Sequence, residues 1–167
     1  MSRSNVLDIL KNAYLMEQRG KTLYDTAANQ AEDPDVKEFF RALAEDERVH
    51  MKVLEHQMNA VHHSGRFEEL SHQAEEKNSP GLDILDDTLI QKINAAGFEA
   101  TAVTAAVGFE EKAVKVYADR AKEAADTEEK RVYEWLSSWE NLHLKRLVAL
   151  QEALTKKVWE DNSFWPF

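Results

Sequence analysis

Apolar residues recur every three to four positions along four long stretches of this chain, the period that puts them on one face of an α-helix. The first stretch runs from about residue 5 to 31, and its inner stripe reads Val6, Leu10, Ala13, Glu17, Gly20, Tyr24 and Ala27. The second starts after Asp33-Pro34, a good N-cap followed by a residue suited to the first helical position. Its stripe is Val36, Phe40, Leu43, Glu47, His50, Leu54 and Met58, and Gly65 is placed to cap its end. The third covers about 98 to 125, with Val103, Ala106, Glu110, Ala113, Tyr117, Ala121 and Ala124 inward. The fourth is capped by Asp126 or Thr127 and continues to about 159, with Val132, Leu136, Glu140, His143, Leu147, Leu150 and Leu154 inward.

Only a few residues separate the first helix from the second and the third from the fourth, so each pair is predicted to be an antiparallel hairpin. Residues 66–97 join the two hairpins. A helix of about 30 residues is roughly 45 Å long, a distance that this connection can span. Within it Ser79-Pro80-Gly81 breaks the chain, and Asp83 to Ala95 is predicted as a short amphipathic helix with Leu85, Leu89 and Ile93 inward. The expected fold is therefore all-α: one domain over residues 1–167, a four-helix bundle with a long crossover between its second and third helices.

Each stripe carries acidic or histidine residues where the pattern calls for core. The first half holds Glu17, Glu47 and His50, and the second holds Glu110, Glu140 and His143. A single shift of 93 residues maps one set onto the other, and eleven of the 38 positions from 17 to 54 are identical under it. Such a repeat predicts two equivalent hairpins that bring two half-sites together at the bundle centre. A charge on a buried face is costly unless it is paired or bound to metal. A lone Glu from each of two helices and Glu-x-x-His from each of two others make the ligand set of a carboxylate-bridged two-metal site. Residues three apart share a helix face, so Glu47 with His50, and Glu140 with His143, can each serve one metal. Glu47 and Glu140 are assigned as bridges, Glu17 and Glu110 as terminal ligands. Oxygen and imidazole donors without sulfur suit iron or manganese, and zinc can occupy such a site without redox chemistry.

Composition narrows the classes further. The 167 residues hold five Gly and three Pro, too few turn residues for a β-rich fold. There are no cysteines, which excludes disulfides, thiolate catalysis and Cys-ligated iron within this chain. The net charge of −10 argues against nucleic-acid or anionic-membrane partners. No stretch approaches the roughly 18 apolar residues of a membrane span, and the start of the chain has no apolar signal segment. A cytoplasmic location is expected.

On these residues the chain resembles the ferritin-like superfamily and, within it, the rubrerythrin-like (erythrin) branch, along essentially its whole length. The resemblance implies a di-iron site that reacts with peroxide or O2 while Fe(II) becomes Fe(III), an external electron donor, and a homodimer in which helix hairpins can exchange. Three departures stand out. No Cys₄ rubredoxin module is present. Val107 stands where rubrerythrins carry an extra glutamate, one turn before the ligand of the third helix. An aromatic tail from Trp159 to Phe167 takes the place of the fifth helix of cage ferritins.

Tyr24 and Tyr117 each follow a ligand glutamate by seven residues. Their phenols are candidates to hydrogen-bond the bridging carboxylates across the bundle, or simply core aromatics. Asp46 could orient a histidine from a neighbouring helix, but its repeat counterpart is Trp139, which favours a solvated or partner-facing Asp. Glu111, Glu45, Glu55 and Lys52 read as surface charges, and His56, His62, His63 and His72 as solvated histidines. Trp135, Trp139, Trp159 and Trp165 read as packing residues. The functional classes left open are a peroxidase-like or ferroxidase-like di-iron oxidoreductase, an iron-storage or iron-binding protein, a redox-silent metal bundle, and an oxygenase for a hydrocarbon-like substrate.

Overall fold

The computed structural model describes residues 3–70, 87–93 and 97–161. Five helices appear among them: α1 (Arg3–Gln30), α2 (Pro34–Ser64), α3 (Asp87–Lys92), α4 (Phe98–Glu123) and α5 (Thr127–Asp161). The four long helices fall where the apolar period puts them, and no described residue is in a strand. The break at Ser79-Pro80-Gly81, Leu85, His72, Trp165 and the tail beyond Asp161 lie outside the described residues. No described helix is long and apolar enough to cross a membrane.

Local chemistry sets the helix ends. Asp33 accepts hydrogen bonds on Oδ1 from the amides of Asp35 at 2.8 Å and Val36 at 3.4 Å, and Pro34 occupies the first helical position. These contacts satisfy donors that have no intrahelical partner. Gly65 closes α2 in the left-handed region, φ 77°, and its amide donates to the Val61 carbonyl at 3.0 Å. A side chain would strain that backbone, which is why glycine sits there. Between the two predicted caps of α5, Asp126 holds the role: its Oδ1 accepts from the amides of Glu128 and Glu129, both at 2.9 Å.

The helices pack as two hairpins, α1 on α2 and α4 on α5, which dock face to face. Leu10, Phe40, Leu43, Leu54, Val103, Leu136, Leu147 and Leu150 are each at most 1% exposed and fill the space between them. Three stripe positions, Val6, Met58 and Ala124, differ from expectation in being only half-buried. In place of Met58, its neighbour Gln57 is buried. Gln57 donates to the Glu68 carbonyl at 3.0 Å and accepts from the Glu68 amide at 2.9 Å, fixing the first turn of the crossover against α2. The side chain with two hydrogen-bonding groups is drawn inward because it satisfies both backbone groups of a loop residue at once. Ala124 lies just past the end of α4 and is half-buried.

The crossover is pinned where it is described. Leu89 and Ile93 are at most 1% exposed. The Lys157 ammonium on α5 donates to the carbonyls of Gln91 at 3.0 Å and Ile93 at 3.3 Å, satisfying acceptors at the end of α3. Lys92 pairs with Asp35 at the start of α2.

Candidate metal centre

Four glutamates and two histidines converge midway along the bundle. Glu17 comes from α1, Glu47 and His50 from α2, Glu110 from α4, and Glu140 and His143 from α5. Each is at most 1% exposed. They form two overlapping sets, Glu17–Glu47–His50–Glu140 and Glu47–Glu110–Glu140–His143, and within each set one donor atom per residue lies within 4.8 Å of the others. Glu47 and Glu140 belong to both.

The imidazoles face the carboxylates through Nδ1. For His50, Nδ1 lies 3.0 Å from Glu17 Oε2, 3.0 Å from Glu140 Oε1 and 3.5 Å from Glu47 Oε2. For His143, Nδ1 lies 3.3 Å from Glu140 Oε2, 3.6 Å from Glu110 Oε1 and 3.9 Å from Glu47 Oε1. The two rings stack with centroids 5.8 Å apart.

Helix direction explains these pairings. Tyr24 reaches Glu110 and Tyr117 reaches Glu17. The residue numbers of each pair sum to 134, the signature of antiparallel neighbours, so α1 and α4 run in opposite directions. Each tyrosine, two turns beyond its own glutamate, therefore stands opposite the glutamate of the other helix. Both hydroxyls donate to the outer carboxylates, Glu17 and Glu110. The sequence expectation of contact across the bundle is met, but the partners are not Glu47 and Glu140. Those two sit on α2 and α5.

Asp46 was expected at the surface. It is instead 7% exposed, and its Oδ2 lies 3.2 Å from His143 Nε2. This fixes the outer nitrogen of His143 as the donor, leaving Nδ1 free for the centre. His50 has no such partner. Its Nε2 is buried without a hydrogen bond, and the indole rings of Trp135 and Trp139 stand edge-on around it, at 5.4 and 5.7 Å between centroids. Trp139 occupies in the second hairpin the place of Asp46 in the first, so the two histidines differ in their surroundings although the ligand sets repeat. Glu111, Glu45, Glu55, Lys52, His56, His62 and His63 are exposed, as expected. Trp159 is 59% exposed and does not pack in the core.

The electrostatics are those of an over-full acidic centre. Burial, then the Glu140 carboxylate, raises Glu110 to about 8. Burial, then Glu140 and Glu17, pushes Glu47 well above the carboxylate range. Burial works against ionisation of Glu140 as well, but His50 and His143 outweigh it and hold that carboxyl well below its usual range. Burial also opposes charge on His50, yet Glu140, Glu17 and Glu47 raise it well above the imidazole range. His143 is raised in the same way, by Asp46, Glu110 and Glu140 against burial. The phenols of Tyr24 and Tyr117 are pushed up by burial and by the adjacent Glu110 and Glu17, so they remain donors.

Several donor atoms in this centre are buried without a hydrogen bond: both oxygens of Glu47 and of Glu140, Glu110 Oε2 and His143 Nδ1. Leaving such groups unmatched costs about 1–3 kcal/mol each. Two divalent cations placed between the carboxylates would match all of them and offset the four negative charges. The residues present therefore fit a di-metal centre.

A family model described as Rubrerythrin matches residues 8–151. The comparison with curated proteins and that with solved structures each gave no match.

Proposed function

The chain belongs to the rubrerythrin family, and on that premise we propose that Glu17, Glu47, His50, Glu110, Glu140 and His143 hold two iron ions in an oxidoreductase that reacts Fe(II) with hydrogen peroxide or O2, in oxidative-stress defence or iron homeostasis. The observation that carries this reading is the presence of Glu47 and Glu140 in both four-residue sets, the arrangement required of carboxylates that bridge two metals. Two Fe(II) ions held by these six residues would supply the two electrons that, with two protons, convert hydrogen peroxide to two waters, and an external electron donor would restore them. Oxygen and nitrogen donors suit manganese as well as iron, and zinc would make the centre redox-silent.

The surrounding residues keep the centre in shape. Tyr24 and Tyr117 hold the outer carboxylates Glu110 and Glu17 in one orientation. Asp46 engages the outer nitrogen of His143, so that Nδ1 is the nitrogen a metal would take in exchange for its proton. The apolar bundle around them keeps bulk water out. Val107 is 9% exposed and brings no carboxylate to the turn before Glu110. That absence favours, as a second reading, a ferroxidase that handles iron without an organic substrate. The protein is expected to act as a homodimer. Exchange of hairpins would preserve the centre, because each hairpin brings three residues of one set and one of the other.

The test is metal content per chain after anaerobic Fe(II) loading, followed by rapid mixing with H2O2 and, separately, O2. Two irons per chain and fast growth of a di-iron(III) absorption are expected, and the faster oxidant distinguishes the two readings. Iron that does not bind in stoichiometric amounts, or stays inert to both oxidants, would refute the proposal. Replacing both shared carboxylates, Glu47→Ala with Glu140→Ala, is expected to abolish binding of two metals per chain while preserving helix content.

A further inference from the structure

A cleft of about 450 Å³ opens between α1 and α4, and none of the six ligand residues lines it. Small-molecule sites fall in the range of roughly 300–1,000 Å³, with mostly apolar walls and a few polar groups. Here the walls are Ile9, Met16, Phe109 and Val116, and Tyr117 and Tyr133 complete the lining. The tyrosine rings stack at 6.2 Å between centroids. The Tyr133 residue is fully buried, yet its hydroxyl has no hydrogen-bond partner, leaving an unused donor beside the cleft.

The charge of the lining is the opposite of the chain's. Arg19, Lys112 and Arg120 border the cleft, and no carboxylate does among the described residues, in a protein of net charge −10. Arg120 pairs with Glu123 at 3.0 Å. Arg19 and Lys112 are exposed and form no ion pair among the described residues. Two free cations above an apolar trough select for a molecule with an anionic head and an apolar body. The concave shape selects for a small one, since a helix face from a second copy would leave the enclosed volume unfilled.

The cleft also backs onto the carboxylate cluster. Tyr117, part of its lining, donates to Glu17. Gly20 leaves room for the Phe109 ring and the Glu47 carboxyl to approach the same point: a Cβ there would lie 2.7 Å from Phe109 Cε1 and 3.2 Å from Glu47 Cδ.

We propose that the α1/α4 cleft binds a small amphipathic organic anion, with a carboxylate head at Arg19 and Lys112 and an apolar chain against Phe109, Val116 and Tyr117. This site does not rest on the metal reading, because none of its lining residues belongs to the two ligand sets. Its test is calorimetric titration of metal-free protein with decanoate, and in parallel with decylammonium of equal chain length. Saturable binding of one decanoate per chain is expected, at least tenfold tighter than decylammonium. Arg19→Gln with Lys112→Gln changes only exposed side chains and is expected to weaken decanoate at least tenfold, with the helical circular dichroism unchanged. Met16→Trp, which fills the trough, is expected to abolish binding. Absence of saturable binding, equal affinity for the two head groups, or decanoate affinity unchanged in the Arg19/Lys112 variant would each overturn the assignment. So would a dimer, detected by light scattering, that buries this face and excludes decanoate.

Discussion

Gly20→Ala is a sharp probe of how tightly the two hairpins meet. Gly20 lies inside α1, where alanine would ordinarily gain about 1 kcal/mol from helix propensity and reduced chain entropy. Here the added methyl carbon would sit 2.7 Å from Phe109 Cε1, 3.1 Å from Phe109 Cζ and 3.2 Å from Glu47 Cδ. Carbon pairs rest at about 3.5–4.0 Å, so the ring edge must retreat by close to an ångström. Overpacking of this kind costs about 1–3 kcal/mol. Phe109 is half-buried and faces the α1/α4 cleft, so part of that cost can be relieved by swinging the ring outward. The net expectation is a loss of about 0–2 kcal/mol, the difference between the clash and the propensity gain. The internal repeat supplies the control. The 93-residue shift relates Gly20 to Ala113 and Phe109 to Met16, so Gly20→Ala with Phe109→Met recreates a pair the protein already contains. In the Phe109→Met background the alanine should stabilise by about 1 kcal/mol, giving a coupling of about 1–3 kcal/mol between the two sites. Urea and thermal unfolding of the four metal-free proteins measure this, each kcal/mol moving Tm by about 2–4 °C at this chain length. Stabilisation of the same size with and without Phe109 would refute close packing of that ring against residue 20.

Three further outcomes are expected. Asp46→Asn should weaken metal at the His143 side by about 10–100-fold and leave the His50 side nearly unchanged, making a Co(II) titration followed by absorbance more clearly two-step; equal weakening of both steps would refute the asymmetry. Tyr24→Phe with Tyr117→Phe should cost metal-free protein about 1–3 kcal/mol per lost donor and metal-loaded protein less, as judged by urea unfolding with and without two equivalents of Zn(II). In metal-free protein Glu110, raised to about 8, binds a proton in the folded state that the unfolded chain has already released above the ordinary carboxyl range. Its stabilisation is thus fully present below that range and is lost as pH rises toward 8; Glu47, His50 and His143 act in the same direction, and Glu140 opposes them only at acid pH. Stability should fall by about 1.4 kcal/mol per pH unit for each proton so held, and two equivalents of metal, which compete with those protons, should flatten the slope; a metal-free stability that rises from pH 5 to 8 would contradict the buried acidic centre.

The helices and the six converging residues were legible because both follow from one periodicity, and the caps because Asp33-Pro34, Gly65 and Asp126 announce themselves locally. What escaped the sequence depends on which helices are neighbours and on their direction. Tyr24 could be placed near a carboxylate, but choosing Glu110 requires knowing that α1 and α4 are antiparallel. Asp46 sits one residue off the stripe, and the repeat argued against it because its counterpart is Trp139. Only the packing of α2 against α5, 97 residues away in sequence, turns that flank inward. Met58 gave way to Gln57 for a similar reason: the apolar period does not register a loop amide and carbonyl waiting to be satisfied.

The contacts at the centre also impose an order of events on the folding chain. Within a hairpin, the pairing of His50 with Glu17 closes a separation of 33 residues, whereas the ties between hairpins, Tyr24 to Glu110, Asp46 to His143 and Glu17 to Tyr117, span 86, 97 and 100. Short closures are fast and long ones slow, so each hairpin collapses early and their docking, which must desolvate four carboxylates, comes late. Neither hairpin alone carries a complete four-residue set, so tight metal capture waits for that last step and then slows its reversal. Metal supply would thus govern how long the docked chain persists before it reopens, making the ion a kinetic latch between two preformed halves.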